Sequence, residues 1–276
     1  MASKLNMKVL WTAIVAITCC SMTPSKAQSI SAYPSRIFFQ AGPGQSEVQS
    51  VHITNEGSTP LLMDLQIKDW LRDSLGEKVY FPAATQPMSN AKWIALQPSQ
   101  LQIAPGETKE LTVRLSAPLK GASVTNSMLF ITQINEQQPV YKKDATGRTM
   151  GIVFRVEVGI HLYNTFPQVS PNKDLEFEQF QERGVRNDST RQFALKILNK
   201  SQGICDAKLK LQLTNKTTGQ QYNLPEKAIS MLPGSEQTVF SDISAKLPQG
   251  HYQLIAILDA GESSALKVAK KEISYE

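Results

Sequence analysis

The feature that most constrains the fold is a run of alternating apolar residues at 152–163. Its even positions are all apolar: Ile152, Phe154, Val156, Val158, Ile160 and Leu162. Arg155, Glu157 and His161 stand at odd positions. Side chains of a β-strand alternate between two faces, whereas a helix would scatter these residues around its circumference. The run therefore predicts one long strand with an apolar face.

Other parts of the chain carry the same kind of pattern. Alternating runs at 48–54, 61–67 and 111–115 predict further strands. Turn sequences rich in Asn, Asp, Gly and Pro separate these runs, as at 55–57 and 73–76. Helical periodicity is hard to find. Short strands between frequent turns predict an all-β sandwich fold.

An internal repeat predicts two domains. The segments 51–67 and 195–211 each contain a strand pattern, a turn led by Asn and a second alternating strand. A Pro-Gly turn and strand at 103–113 has a counterpart at 231–239. We expect two related sandwiches, at 28–165 and 166–276, joined through a proline-stiffened linker at 164–172. The motif Gly250-His-Tyr252 is similar to the tyrosine-corner region of immunoglobulin-like folds.

The first 27 residues have the three-part pattern of a secretory signal. Two lysines precede an apolar run at 9–20, and small residues end at Ala27, after which we predict cleavage. Twelve residues are too few to cross a bilayer core of roughly 30 Å. A buried N-terminal helix and a lipid anchor at Cys19 or Cys20 are the alternatives. The pattern predicts an exported protein.

Charge and cysteine content narrow the function classes. The formal net charge is +5, and three lysines of the predicted leader account for three of those charges, which leaves +2. A nucleic-acid-binding protein normally carries a basic stripe, so we expect no nucleic-acid partner. Removal of the leader leaves Cys205 alone, so that no internal disulfide can form. We expect Cys205 to be a small core residue, with a catalytic thiol as the alternative.

An active site is hard to assemble from this sequence. His52, His161 and His251 are far apart, and their spacing is not that of metal ligands. Asp69 and Asp73 could form an acid–base pair, but carboxylates beside a turn are more often solvated loop charges. The sequence offers no motif that combines a nucleophile, a base and an orienting group. We therefore predict no enzyme activity, no metal and no cofactor.

Five segments together resemble the PapD-like periplasmic pilus chaperones. Segment 32–39 resembles the family's first strand, 101–115 its Pro-Gly turn with the following strand, and 127–135 its F strand. Segment 152–163 resembles its G strand, and 231–239 resembles part of its second domain. The resemblance covers most of residues 30–240. It implies two immunoglobulin-like sandwiches in tandem, which meet at an angle to form an L-shaped, boomerang-like molecule in the periplasm.

The resemblance also implies a function. Chaperones of this family work without ATP and lend their G strand to an incomplete pilin subunit, which is donor-strand complementation, a form of strand addition. The subunit-binding side chains implied here are Ile152, Phe154, Val156 and Val158. The alternative is that all even positions face the protein's own core. We expect the later ones to point inward and the earlier ones to be partly exposed, beside a polar loop at 136–151 that is long enough to be mobile.

The family also holds the subunit's terminal carboxylate with an Arg on the first strand and a Lys on the G strand. The resemblance places Arg36 at the first position and His161 at the second. Histidine is a departure, because it is mostly neutral at pH 7 unless a carboxylate raises its pKa. The anchor is then weaker, pH-sensitive or built differently, with Arg155 as another candidate.

Partners follow from the same resemblance. They are secreted pilin-like or other surface subunits and an outer-membrane usher or assembly platform, with self-association of the uncomplexed form as a way to protect the strand. The alternative function is a structural or adhesive immunoglobulin-like module of the cell envelope without chaperone activity, because a fold does not fix a function.

Overall fold

The computed structural model describes residues 30–135, 140–153, 155–186, 189–262 and 264–276. The predicted leader and Phe154 lie outside these residues, and the side chain of Ile152 is likewise not described. The described part of the chain contains no helix with the length and apolarity to span a bilayer. Apart from one 3₁₀ turn, Ala91–Trp93, its regular elements are strands.

The strands of the first half follow in chain order: β1 (Ile30–Tyr33), β2 (Arg36–Phe39), β3 (Ser46–Asn55), β4 (Leu61–Arg72), β5 (Lys78–Phe81), β6 (Ile94–Gln97), β7 (Gln100–Ile103), β8 (Thr108–Ser116), β9 (Val124–Gln133), β10 (Val140–Lys143), β11 (Thr149–Ile152) and β12 (Glu157–Thr165). Those of the second half are β13 (Leu175–Arg186), β14 (Thr190–Asn199), β15 (Cys205–Asn215), β16 (Gln221–Asn223), β17 (Lys227–Met231), β18 (Glu236–Ser244), β19 (Gly250–Asp259) and β20 (Lys267–Tyr275).

The first half forms a sandwich of two sheets. One sheet has the order β1-β3-β8-β6, and the other has the order β2-β12-β9-β4-β5 with β7 also paired to β4. Alternate residues of both sheets fill the space between them, including Ile53, Leu111, Leu129, Ile160 and Leu162, all fully buried. Because the side chains of a strand alternate between its two faces, every second side chain of the β2-β12-β9-β4-β5 sheet points away from this core. This outer face can contact other parts of the protein.

The second half forms another sandwich, with sheets β13-β14-β18 and β16-β15-β19-β20 and with β17 paired to β15. Its core includes Cys205, which is fully buried, and burial raises the pKa of the thiol. The prediction of a small core cysteine is therefore confirmed. Tyr252 is also buried, and its hydroxyl donates to the carbonyl of Pro248 at 2.8 Å. This is the bond that a tyrosine corner makes, so this prediction is confirmed as well. The all-β prediction with two immunoglobulin-like sandwiches in tandem is confirmed, whereas the L shape stays a prediction.

The sequence repeat corresponds to a repeated buried asparagine. The Nδ2 of Asn55 donates to the carbonyls of Thr59 and Ile103, and the carbonyl of Asn55 accepts from Gly106 at 2.8 Å. Asn199 does the same in the second half. Its Nδ2 donates to the carbonyls of Gly203 and Met231, and its carbonyl accepts from Gly234 at 3.0 Å. Each asparagine thus ties its own turn to the Pro-Gly turn of the same sandwich.

The alternating run at 152–163 is not the single strand that its pattern predicts. Residue 152 ends β11, which pairs with β10, and β12 begins at Glu157. Residues 153, 155 and 156 are outside the strands because the ladder between β9 and β12 starts at Glu157. The expected loop at 136–151 is also different, since 140–152 form the β10–β11 hairpin.

The two sandwiches touch through the outer face of the β2-β12-β9-β4-β5 sheet. Trp70, Met128, Phe130 and Tyr163 of that face form one buried cluster with Leu232 of the second half. The backbone N–H of Thr238 also donates to the carbonyl of Ser74 at 2.7 Å. This interface positions the residues of the candidate site.

Candidate functional site

Strand β12 has one backbone edge that is only partly paired. It pairs with β9 along its full length, from Glu157 to Thr165, but its parallel pairing with β2 begins at His161. For 157–160, the ladders in the described chain cover the β9 side alone. An unpaired edge of this kind is a template for another strand.

The direction of the backbone groups locates the free positions on this edge. In a strand, the N–H and C=O groups of successive residues point to opposite sides. The N–H of His161 donates toward β2, to the carbonyl of Ser35 at 3.1 Å, and the carbonyl of Val156 accepts from Gln133 of β9 at 2.9 Å. The backbone groups of Glu157 and Gly159 therefore point to the side on which β12 is unpaired.

The predicted subunit-binding side chains differ in burial according to their position along the chain. Val158 is half-buried and packs against the core of the first sandwich, and Ile160 and Leu162 are fully buried in it. Val156 is half-buried and precedes the strand. The expected inward orientation of the later even positions is confirmed. Ile152 and Phe154 cannot be compared, because their side chains lie outside the described residues.

The predicted anchor residues are direct neighbours. Arg36 of β2 and His161 of β12 are opposite each other in the parallel ladder. The guanidinium of Arg36 forms an ion pair with the carboxylate of Asp206 in β15, at 2.7 Å between Nη1 and Oδ2. Both side chains are partly exposed, at 35% for Arg36 and 50% for Asp206. Arg36 thus already contacts a carboxylate, supplied by the second sandwich. Arg155, the other candidate, is exposed and outside the strands.

His161 is buried, with 8% of its surface exposed. Its ring lies edge-on to Trp70, with centroids 4.8 Å apart, and stacks with Tyr163 at 5.8 Å. Burial, followed by the charges of Lys78 and Arg36, lowers the pKa of His161 to about 4. The imidazole is therefore neutral at pH 7, and its Nε2 has no hydrogen-bond partner among the described residues.

Two further cations lie on the same outer face. Arg72 of β4 is opposite Lys78 of β5 in the ladder, so that their side chains share a face. The guanidinium carbon of Arg72 is 5.7 Å from the ring centroid of Trp70, and its Nη1 donates to the carbonyl of Gly76 at 2.6 Å. Burial lowers the pKa of Lys78, and the charges of Arg72 and Arg36 lower it further. These cations are close enough to repel one another.

Arg36 and Arg72, but not Lys78, border a cleft of about 780 Å³ between the two sandwiches. Arg36, Arg72 and Glu77 line it from the first sandwich, and Asp206 and Lys208 line it from the second. The lining also includes Asp259, so three cations and three carboxylates face the cleft, and it suits a polar group rather than an apolar ligand.

Sequence reasoning missed Arg72, Lys78 and Asp206. These residues carry no motif. Asp206 reaches Arg36 from the second sandwich, and the pairing of β4 with β5 places Arg72 and Lys78 on one face. A signal was present in the alternation of Trp70, Arg72, Lys78 and Tyr80, which places all four on one face of a hairpin. The hairpin itself was not predicted.

The interpretation of Asp69 as a solvated loop charge was wrong. Asp69 is buried and accepts hydrogen bonds from the backbone N–H groups of Thr85 and Gln86 and from the hydroxyl of Ser89, at 2.6–2.9 Å. Its carboxylate holds the segment after β5 in place. Asp73 accepts from the N–H groups of Leu75 and Glu77 in the β4–β5 turn. Within the described ranges, no group of three or more His, Cys, Asp or Glu residues could hold a metal ion.

Solved structures of fimbrial chaperones are similar to this chain. One is a chain of the CsuC–CsuE chaperone–tip adhesion subunit pre-assembly complex from archaic chaperone-usher Csu pili of Acinetobacter baumannii. It is 14% identical, with a TM-score of 0.47, over 88% of this chain and 97% of that one. Others are the E. coli chaperone DraB, 15% identical with a TM-score of 0.44 over 88% and 98% of the chains, and the Pseudomonas aeruginosa CupB2 chaperone, 14% identical with a TM-score of 0.43 over 89% and 100%.

No protein-family model and no curated protein matches the sequence. At these identities the likeness to the solved structures is one of fold.

Proposed function

We propose that the protein is a periplasmic, ATP-independent chaperone that binds secreted pilin-like surface subunits by strand addition. It covers a subunit's incomplete sheet with the segment 152–158 and the adjoining edge of β12. The partly unpaired edge of β12 is the observation that carries this proposal. An adhesive module of the envelope would not require an exposed strand edge. Such an edge promotes aggregation unless a partner strand covers it.

The alternating side chains support the same proposal. The run at 152–163 has more apolar residues than its own sandwich buries, since Ile160 and Leu162 fill the core while Val156 is half-buried before the strand. The buried residues fix the strand, and the earlier ones remain for a partner. Main-chain hydrogen bonds to Glu157 and Gly159 would supply affinity, and pockets for alternate side chains would supply specificity.

Arg36 supports a role for the cleft in the same binding event. It is the predicted carboxylate anchor, it is opposite His161 where the free part of the β12 edge ends, and it already contacts a carboxylate of this chain at 2.7 Å. A guanidinium can hold both oxygens of a terminal carboxylate. In this proposal the subunit's terminus takes the place of Asp206 at Arg36.

The remaining partners follow from the mechanism. A capped subunit must be released to an assembly platform in the outer membrane, such as an usher, where another strand replaces that of the chaperone. Without a subunit, the free edge of β12 is open to a second copy of this chain, which gives self-association.

The test is capture of a subunit by matched variants. The tagged protein is expressed in the periplasm of its own host, and bound proteins are isolated and identified by mass spectrometry. Val156→Asp changes an even position of the run, and Val153→Asp makes the same change at an exposed odd position. Arg36→Ala removes the predicted anchor, and Arg155→Ala is its control.

We expect a small secreted β-rich protein at about one copy per chaperone, lost with Val156→Asp and Arg36→Ala and retained with both controls. Loss with both valine variants would contradict insertion of alternate side chains. Loss with Arg155→Ala rather than Arg36→Ala would move the anchor to Arg155. If the wild type captures no partner and deletion of the gene leaves surface assembly normal, the protein is a structural module.

A further inference from the structure

The net positive charge of the chain is concentrated in one hairpin. Removal of the predicted leader leaves a net charge of +2 on residues 28–276. Residues 140–155, which contain the β10–β11 hairpin, hold two lysines, two arginines and one aspartate, and therefore carry +3. The other residues of 28–276 together carry −1. The cations of the hairpin segment are Lys142, Lys143, Arg148 and Arg155.

These four cations are exposed and take part in no ion pair among the described residues. Every residue from 141 to 151 is exposed, and so is Arg155. None of the ion pairs between described residues includes one of the four cations. The carboxylate of Asp144 accepts hydrogen bonds from Thr146 and from the backbone N–H of Arg148, so it serves the turn of the hairpin. The positive charge is therefore available to a partner.

Large apolar side chains are exposed beside the same cations. Tyr141 is 70% exposed, Met150 is 58% exposed and Val153 is 53% exposed. Lys142 is opposite Met150 in the β10–β11 ladder, whereas Tyr141 and Lys143 share the other face. Each face of this two-stranded ribbon thus combines an apolar side chain with a cation.

This arrangement fits a lipid surface better than the surface of a folded protein. A protein partner is recognised through complementary shape and through anchoring side chains that enter pockets. The hairpin is a separate sheet of two strands, and its apolar side chains are divided between two faces. A membrane interface can surround such a ribbon, because anionic headgroups attract the cations while Tyr and Met side chains reach the acyl boundary. Clusters of about four to eight basic residues are the size that binds anionic lipids, and this segment has four.

We propose that the β10–β11 hairpin docks on the surface of a membrane that contains anionic phospholipids. Its cations supply the attraction, and Tyr141 and Met150 enter the interface. This docking goes beyond the proposed function, because it needs no subunit and no strand addition. It would hold a chaperone at the surface from which exported subunits emerge.

The experiment is co-sedimentation of the purified protein with lipid vesicles. One set of vesicles contains equal parts of phosphatidylglycerol and phosphatidylcholine, and the other set contains phosphatidylcholine alone. The double variant Lys142→Gln/Lys143→Gln removes two adjacent lysines of the hairpin. Lys270→Gln/Lys271→Gln is its matched control, because these adjacent lysines lie on β20 of the second sandwich. Tyr141→Ser and Tyr141→Trp test the apolar contact.

We expect the wild type to bind the neutral vesicles at least about a hundredfold more weakly than the anionic ones, since each cation contributes roughly fivefold near an anionic surface. The hairpin double variant should lose about thirtyfold on anionic vesicles, and its control should lose less than about threefold. Tyr141→Ser should lose about tenfold, whereas Tyr141→Trp should bind like the wild type. Raising the salt from about 0.1 M to about 1 M should release the wild type, because the Debye length falls from about 10 Å to about 3 Å.

Equal binding to the two kinds of vesicle would overturn the proposal, and so would equal losses with the two double variants. Absence of vesicle binding, together with loss of subunit capture by the hairpin variant, would assign the hairpin to a protein partner instead. An unchanged affinity of Tyr141→Ser would refute entry of this side chain into the interface. Urea unfolding of each variant shows that a loss does not come from misfolding, since the substituted hairpin residues are exposed.

Failure of this proposal is separable from failure of the proposed function. Capture of a subunit that depends on Val156 is measured without vesicles, and vesicle binding is measured without a subunit. Val156→Asp should therefore bind anionic vesicles like the wild type, and a loss as large as that of the hairpin double variant would contradict docking through the hairpin.

Discussion

Acidification is expected to destabilise the protein through His161. The imidazole is buried against Trp70 and faces the positive charges of Lys78, Arg36 and Arg72, and its pKa in the folded protein is about 4. In the unfolded chain the same group has an ordinary pKa of about 6.5. Between these two values the unfolded state binds the extra proton. The stability that His161 contributes is therefore complete above about pH 6.5 and is lost as the pH falls toward 4.

The magnitude follows from this difference in pKa. From about pH 7 to pH 5, the folded protein loses roughly 2 kcal/mol of unfolding free energy through this one group. His161→Gln cannot be protonated and should lack this loss. The variant removes buried ring contacts with Trp70 and Tyr163, so we expect it to be less stable than the wild type at pH 7 and to lose less stability on acidification.

The measurement is urea unfolding of the wild type and His161→Gln at pH 7 and pH 5, with the free energy extrapolated to water. Asp and Glu residues titrate in both proteins, so the difference between the two pH dependences isolates His161. If both proteins lose the same free energy between these two pH values, the burial of a neutral imidazole in a cationic surrounding is refuted.

Four further variants test other parts of the structure. Asp206→Asn should change the unfolding free energy by at most about 1 kcal/mol, because the pair with Arg36 is partly exposed. It should also increase the amount of subunit captured by the tagged protein, and reduced capture would contradict displacement of Asp206. Asn199→Ala should cost about 3 kcal/mol in urea unfolding, since two buried carbonyls and one partly buried carbonyl lose their donor, and a cost below about 1 kcal/mol would contradict this role. Leu162→Ala should cost roughly 2–5 kcal/mol of unfolding free energy in the same assay, because it removes a fully buried side chain. Val156→Ala should cost less than about 1 kcal/mol and should weaken subunit capture. Equal costs would contradict the assignment of Leu162 to the core and Val156 to partner binding.

The strands and cores were predictable because side-chain alternation is a local property. Ile160 and Leu162 are at even positions of the run and face the core, as the pattern predicts. The repeat was predictable for the same reason, and Asn55 and Asn199 make equivalent bonds because each tolerates the tight turn that follows its strand.

The break at 153–156 was not predictable, since a strand also needs a partner. The pattern continues from Ile152 to Leu162, but the ladder with β9 begins at Glu157. Burial of Asp69 was missed for a related reason. Its charge is unremarkable in the sequence, and its three donors come from a segment 16–20 residues away.

The sequence by itself determined the all-β class, the repeat, the division of apolar residues between two faces and the predicted export of the chain. These properties follow from short-range periodicity and composition. The tertiary structure decided which strands are neighbours, and therefore which charges meet. Arg36 reaches His161 through a parallel pairing across 125 positions, and Asp206 reaches Arg36 across 170. Register over such separations depends on the packing of whole sheets, which no local pattern encodes.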